Sequence, residues 1–278
     1  YRHRHICFDQ AQWEGTKDDG EYKDYNQNAI HEHYVGGRAR YLLMDPDHTL
    51  HAQGEYLLEG FYKAQVGYEG PLFWLTGQHI KHKPPFIAQR YQSYHRVWQH
   101  QLEAPTATSL SGHTQLHMAT ATLRPHIRIT RVQKPIYFKD ATTPKDPTKK
   151  TDEWEIRWAK RLQMIAKPHQ SAEHADVLVV GAEINLTLGE HVRWDSDITF
   201  ARVSGPAAEV LQVPTLCISS RAYYVQQATT GDGVAEVGLD MRYKSTYMAD
   251  AYDPVTRQFY LQDDFAVRGY PILDAFCN

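Results

Sequence analysis

The stretch VAEVGLDMRYK, residues 234–244, alternates with a period of two. Ala235, Val237, Leu239, Met241 and Tyr243 fall on one side of the alternation, and Glu236, Gly238, Asp240, Arg242 and Lys244 fall on the other. Successive side chains on a strand point to opposite faces, whereas a helix would scatter these residues around its axis. The stretch is an amphipathic strand, apolar on one face and charged or small on the other.

The same pattern spreads outward from it. Ala182, Ile184, Leu186 and Leu188 alternate with Glu183, Asn185 and Thr187. After Gly189-Glu190-His191, Val192, Trp194, Ile198 and Phe200 alternate with Arg193, Asp195, Asp197 and Thr199, which predicts a hairpin. Leu50–Leu58 and Tyr62–Tyr68 alternate on either side of a turn at Glu59-Gly60, and Val35–Leu42 follows suit. Further strands are expected within 90–99, 110–118, 119–132, 213–226 and 257–262, and weakly at 154–166. Strands of about ten residues suit a tilted crossing of a bilayer, where those of globular proteins average nearer 5–6. Polar breaks at 9–32 and 139–153 read as long solvated loops, and no boundary divides the 278 residues into two domains.

The bulk figures agree with several classes and exclude others. A formal charge of −3 offers nothing to attract nucleic acid. Mean hydropathy is −0.59, and nowhere do roughly 18 apolar residues run together, so a membrane-spanning helix is excluded. A barrel is not, because its strands are half polar. The start YRHRH lacks the apolar segment of a signal peptide. Cys7, Cys217 and Cys277 are widely spaced and read as isolated thiols. His3 with His5 and His31 with His33 share strand faces, and His79 lies near His82, but no pair adjoins a Cys or carboxylate pattern typical of a metal site. There is no GxSxG, P-loop or GxGxxG, so no enzymatic chemistry and no cofactor are expected.

The charged face has two opposed readings. In a membrane barrel it lines a wet interior and the apolar face meets lipid; in a soluble barrel the charges lie outside a packed or ligand-filled centre. Alternation alone leaves that choice open. Tyr223 and Tyr224, Tyr243 and Tyr247, Tyr252, Phe259 and Tyr260, and Phe73 and Trp74 cluster near strand ends, a placement like the aromatic girdles at membrane–water boundaries.

Four phrases bear on the choice: AAEVLQVP (207–214), GLDMRY (238–243), YMADAYDPVTRQFYLQ (247–262) and GYPILDAF (269–276). Together they resemble the "putative porin" family of Bacteroidota outer membranes, most specifically over about 205–276, with PLFWLTG (71–77) and QRYQSY (89–94) compatible upstream. The resemblance implies an all-β, antiparallel up-and-down transmembrane β-barrel in the outer membrane of a Gram-negative bacterium. The chain stops short of the aromatic-rich closing strand that the family leads one to expect, so it is expected to be a portion of a larger barrel. Tyr247, Tyr252 and Tyr260 are expected at interface depth.

The function that follows is a passive diffusion channel for small solutes. Arg193, Asp195, Arg221, Glu236, Asp240, Arg242 and Lys244 are the candidates for its lumen wall. The alternatives are a non-conducting barrel that partners other outer-membrane proteins, and a soluble barrel that binds a hydrophobic ligand.

Overall fold

A computed structural model describes residues 2–6, 11–14, 21–24, 30–43, 47–92, 97–140, 166–227 and 233–277. Twelve strands form one sheet in strict sequence order: β1 (Arg2–Ile6), β2 (Ile30–Leu42), β3 (Thr49–Leu57), β4 (Phe61–Glu69), β5 (Phe73–Lys81), β6 (Thr106–Thr114), β7 (Ala121–Gln133), β8 (His174–Leu188), β9 (Val192–Ser204), β10 (Leu216–Gln227), β11 (Val234–Lys244) and β12 (Ile272–Cys277). Every neighbouring pair is antiparallel. Among the described residues the sheet is open, since β1 and β12 each have one neighbour. The short strand Leu116–His117 continues the β6 ladder against β7. The interruption falls opposite Pro125, which has no N–H to give to a ladder.

Register carries the alternation across the sheet. Val237, Leu239 and Met241 share a face with Tyr224, Ala222 and Ser220 of β10, which in turn sit opposite Val192, Trp194 and Ser196 of β9. Followed through every ladder, one face is apolar from β2 to β12 and the other polar. The apolar side chains are not sealed in a dry centre: Val66 is 61% exposed, Leu110 51%, Val237 55% and Leu239 56%. A face this large with no protein over it is what lipid contact requires.

The two ends of the wall differ. At one, short connections join β2 to β3, β4 to β5, β8 to β9 and β10 to β11; Gly189, with φ +66, makes the tight turn after β8. At the other, only the β3–β4 connection is short, and those following β5, β7, β9 and β11 are long. Lys83 bridges Glu59 (2.5 Å) and the buried Glu32 (3.3 Å) at this rim. Burial pulls the Lys83 amine down, but the two carboxylates outweigh it and hold the amine above its ordinary value.

The long connections fold on one another into a cap. Ile136–Asp140 pairs with Ala166–Gln170, Arg90–Gln92 with Val97–Gln99, and Ala251–Asp253 with Gln258–Tyr260. Ala88, Trp98, Phe138 and Ala166 form its apolar cluster, with Tyr91 and Tyr260 against it. A second cluster of Ala175, Ala207 and Val210 roots the cap on β8. Among the described residues the buried apolar clusters therefore sit in the cap and where it meets β8, and not along the body of the wall. Asp253 is 1% exposed; its carboxylate accepts from the backbone N–H of Ala166 (3.2 Å) and of Val255 (2.9 Å), tying two connections together. In this cap His169 stacks on Tyr137, and burial, then Lys139, His100 and Lys167, hold its pKa below the ordinary value.

These facts amend several expectations. Lys139 and Asp140, expected to open a loop, belong to a cap strand; the rest of that expected loop, 141–153, and 154–165 lie outside the described residues. Within 9–32, Ala11–Glu14 pairs with Glu21–Asp24, and Ile30 opens β2. Tyr247, Tyr252 and Tyr260 belong to the β11–β12 connection and not to a wall strand, because residues 251–260 make their own small hairpin. Tyr260 packs against the cap cluster. Among the described residues no helix is long and apolar enough to cross a membrane.

Candidate pore-lining face

All seven residues singled out by the alternation lie on the polar face, and the ladders bring several into one row. Asp195, Arg221 and Asp240 are direct register partners on β9, β10 and β11, with Asn185 of β8 and Asp274 of β12 extending the row. Cross-strand neighbours of this kind lie about 5 Å apart, within reach of one another's side chains. Arg221 meets Asp240 bidentately, Nε to Oδ1 at 2.7 Å and Nη2 to Oδ2 at 3.0 Å. Its guanidinium lies over the Phe276 ring at 4.7 Å. Asp195 accepts from Asn185 Nδ2 (2.7 Å) and from the Tyr223 hydroxyl (3.0 Å).

Gly238 makes the close packing possible. A Cβ there would come within 2.6 Å of the Tyr223 Cβ and 2.8 Å of the Phe276 ring. Arg193, Glu236, Arg242 and Lys244 share this face but make no hydrogen bond or ion pair among the described residues. The wall therefore has a fixed polar row around Arg221 and loose charges of both signs above and below it. A groove of about 410 Å³ runs along it, bordered by Asp195, Asp197, Arg221 and Arg242.

Sequence reading did not single out the second polar patch, on β5 to β8. Arg124 donates to Glu183 (2.6 Å) and to Gln115 (3.3 Å). Trp74 and His113, register partners, stack with ring centroids 4.7 Å apart. With His126 and Arg128 they border a groove of about 710 Å³. The signal was present, since Arg124, His126 and Arg128 alternate with Leu123, Pro125 and Ile127.

The remaining chemistry-bearing residues are dispersed. Cys217, half-buried on β10, and Cys277, exposed on β12, are free thiols, and Cys7 lies outside the described residues. Register sets His3 opposite His33 and His5 opposite His31. Among the described residues no three His, Cys, Asp or Glu side chains gather as a metal site. Of the aromatic pairs, Tyr224 and Phe73 lie on the apolar face while Tyr223 and Trp74 point to the polar one, as adjacent strand positions must.

No curated protein matches the chain in sequence. Two solved structures resemble it in fold. One is P. aeruginosa FpvA bound to heterologous pyoverdines as an iron complex, with 13% identity and a TM-score of 0.50, covering 94% of this chain and 34% of that one. The other is the FpvAI–pyocin S2 complex, with 13% identity and a TM-score of 0.51, covering 94% of this chain and 35% of that one. At this identity they speak to the fold alone: an antiparallel, up-and-down wall of the outer-membrane β-barrel type. The chain spans about a third of the length of either. A family model described as "Putative porin" matches residues 4–278, and with the sheet and its two faces already pointing the same way, the chain belongs to that family.

Proposed function

We propose that this chain forms part of the wall of a passive diffusion pore for small solutes in the outer membrane of a Gram-negative bacterium. The carrying observation is the contrast between the two faces: exposed aliphatic side chains on one, and on the other charges of both signs, several of which make no hydrogen bond or ion pair among the described residues. Loose charges along a wet wall attract and release ions without binding them tightly, which conduction requires. No covalent chemistry is part of this reading. An origin in Bacteroidota, suggested by the phrases at 247–262 and 269–276, belongs to the same proposal, as does the view that further strands complete the barrel. Support for the latter is that the chain covers only about a third of either structural neighbour, and that an open sheet edge in lipid would leave backbone groups unpaired.

The test is conductance of the purified, folded barrel in a planar bilayer. Discrete steps are expected. A heat-modifiable, folded barrel that conducts nothing would overturn the pore. One observation favours a second reading, a non-conducting subunit that partners other outer-membrane proteins: the connections at one end fold around their own apolar cluster. Conductance that appears only after those connections are deleted would support it. The soluble ligand-binding barrel is set aside, because its apolar face would have to be enclosed.

A further inference from the structure

Toward the long-connection end, the polar face holds a pocket of about 400 Å³ bordered by Cys217, Arg242, Lys244, Arg268, Tyr270 and Ile272. That is the size of a small-molecule site, roughly 300–1,000 Å³. Register brings its residues together. Lys244 is the partner of Cys217, and Arg242 is the partner of Ser219 on β10 and of Ile272 on β12. Past Arg242 and Ile272 the ladder lapses, then resumes in the same register at Tyr247 and Val267. Lys244 is therefore set across from Tyr270, and Arg268 is its diagonal neighbour, with Cα atoms roughly 7–8 Å apart. Arg242 lies two residues along β11 from Lys244, about 7 Å away. Gly269 permits the close approach: a Cβ there would come 2.9 Å from the Lys244 carbonyl oxygen, and its N–H donates to Thr246 Oγ1 at 3.0 Å. Three long cationic side chains thus start from neighbouring positions and border one pocket.

Their charge is not compensated. Arg124 and Arg221, elsewhere on this face, are each held by a carboxylate, whereas Arg242, Lys244 and Arg268 make no hydrogen bond or ion pair among the described residues. The carboxylate on the border is that of Asp197, two strands from Arg242, where it accepts from Thr199 Oγ1 at 3.0 Å. Between the cations the wall is apolar. Tyr270 and Ile272 are exposed beside Lys244 and Arg242, and Cys217 faces the pocket from β10. An apolar hollow with a few convergent polar groups is what holds a small molecule, and here those groups call for an anion.

From three unpaired cations gathered around an apolar wall, we infer a weak site for small carboxylates with an apolar body. Lys244 and Arg268 hold the carboxylate with Arg242 alongside, and the body lies on Cys217, Tyr270 and Ile272. The inference rests on the reading of this face as a pore wall and names the solutes that wall favours. Weak binding suits a pore, since a solute must leave as readily as it enters.

The reactivity of Cys217 tests it, in the purified, detergent-solubilised barrel carrying Cys7→Ser and Cys277→Ser. The probes are an anionic (sulfonatoethyl) and a cationic (trimethylammonioethyl) methanethiosulfonate, each rate taken relative to that on free cysteine. The anionic reagent should modify Cys217 severalfold faster. Each cation removed should lower that ratio up to about fivefold. Benzoate should protect the thiol saturably, while benzyl alcohol, which lacks the charge, and acetate, which lacks the body, should protect far less. Lys244→Ala with Arg268→Ala should remove the benzoate effect, with heat-modifiable mobility reporting that the barrel is still folded. A thiol that neither reagent reaches, equal rates for the two, protection by benzyl alcohol or acetate equal to that by benzoate, or protection that survives the double substitution would each overturn the site. Failure of the pore reading is separate: it shows as a barrel that conducts nothing while benzoate still protects Cys217.

Discussion

Asp253 illustrates what a single side chain does here. It is a buried carboxylate in one of the phrases that suggested the family, yet its task is local: it holds the N–H groups of Ala166 and Val255 and so joins two connections. Asp253→Ala should loosen the cap by roughly 2 kcal/mol. Limited proteolysis of residues 244–272 should speed up while the heat-modifiable mobility of the barrel is unchanged. On the polar face, Arg193 and Arg242 make no hydrogen bond or ion pair among the described residues, so reversing their charge perturbs the field and not the packing. Arg193→Glu with Arg242→Glu should move the zero-current potential severalfold toward cation preference, and an unmoved potential would mean these residues do not line the conducting path. The seven residues picked from alternation were legible because period two fixes the face of every side chain. What the sequence could not give was which of them pair, since that depends on the register between β9, β10 and β11.

At the scale of elements, legibility follows the environment of each strand. β11 and the middle of β9 have water-facing charges on one side and aliphatics on the other, so their alternation is clean. β8 reads clearly only from Ala182 onward, although it begins at His174. Its first positions on the polar face, Ala175, Val177 and Val179, are all apolar, and cap residues Ala207 and Val210 cover Ala175 there. The alternation fades where the cap covers the polar face. Cap strands of three to five residues gave weaker signals still, because they are held by contacts between connections far apart in sequence. The cap also makes a pH prediction. Because the folded cap holds the His169 pKa below its ordinary value of about 6.5, the unfolded cap binds the proton more readily. Stability is therefore full above that value and is lost as pH falls from it through the lower folded value. Between about pH 7 and about pH 5, protease cleavage of the cap should increase in wild type. In His169→Phe, which keeps a ring against Tyr137, it should not.

For the whole molecule, the decisive property is which face meets hydrocarbon. Leu239→Arg places a charge on the outward face, and near the midplane this should cost about 2–4 kcal/mol of stability in lipid vesicles. Asp240→Asn, one residue away on the opposite face, escapes that penalty, and urea unfolding in vesicles of the two variants checks the sign of the wall directly. Equal costs would mean that neither face is immersed. The strictly sequential ladder has one more implication. Among the described residues each wall strand is bonded to the wall strands before and after it, so a neighbouring pair such as β3 and β4 can be excised without reversing the direction of any other. The circumference would shorten by roughly 10 Å, and the flanking β2 and β5 would still run antiparallel. A protein built this way can change its girth through the gain or loss of whole hairpins, with no rethreading of the chain.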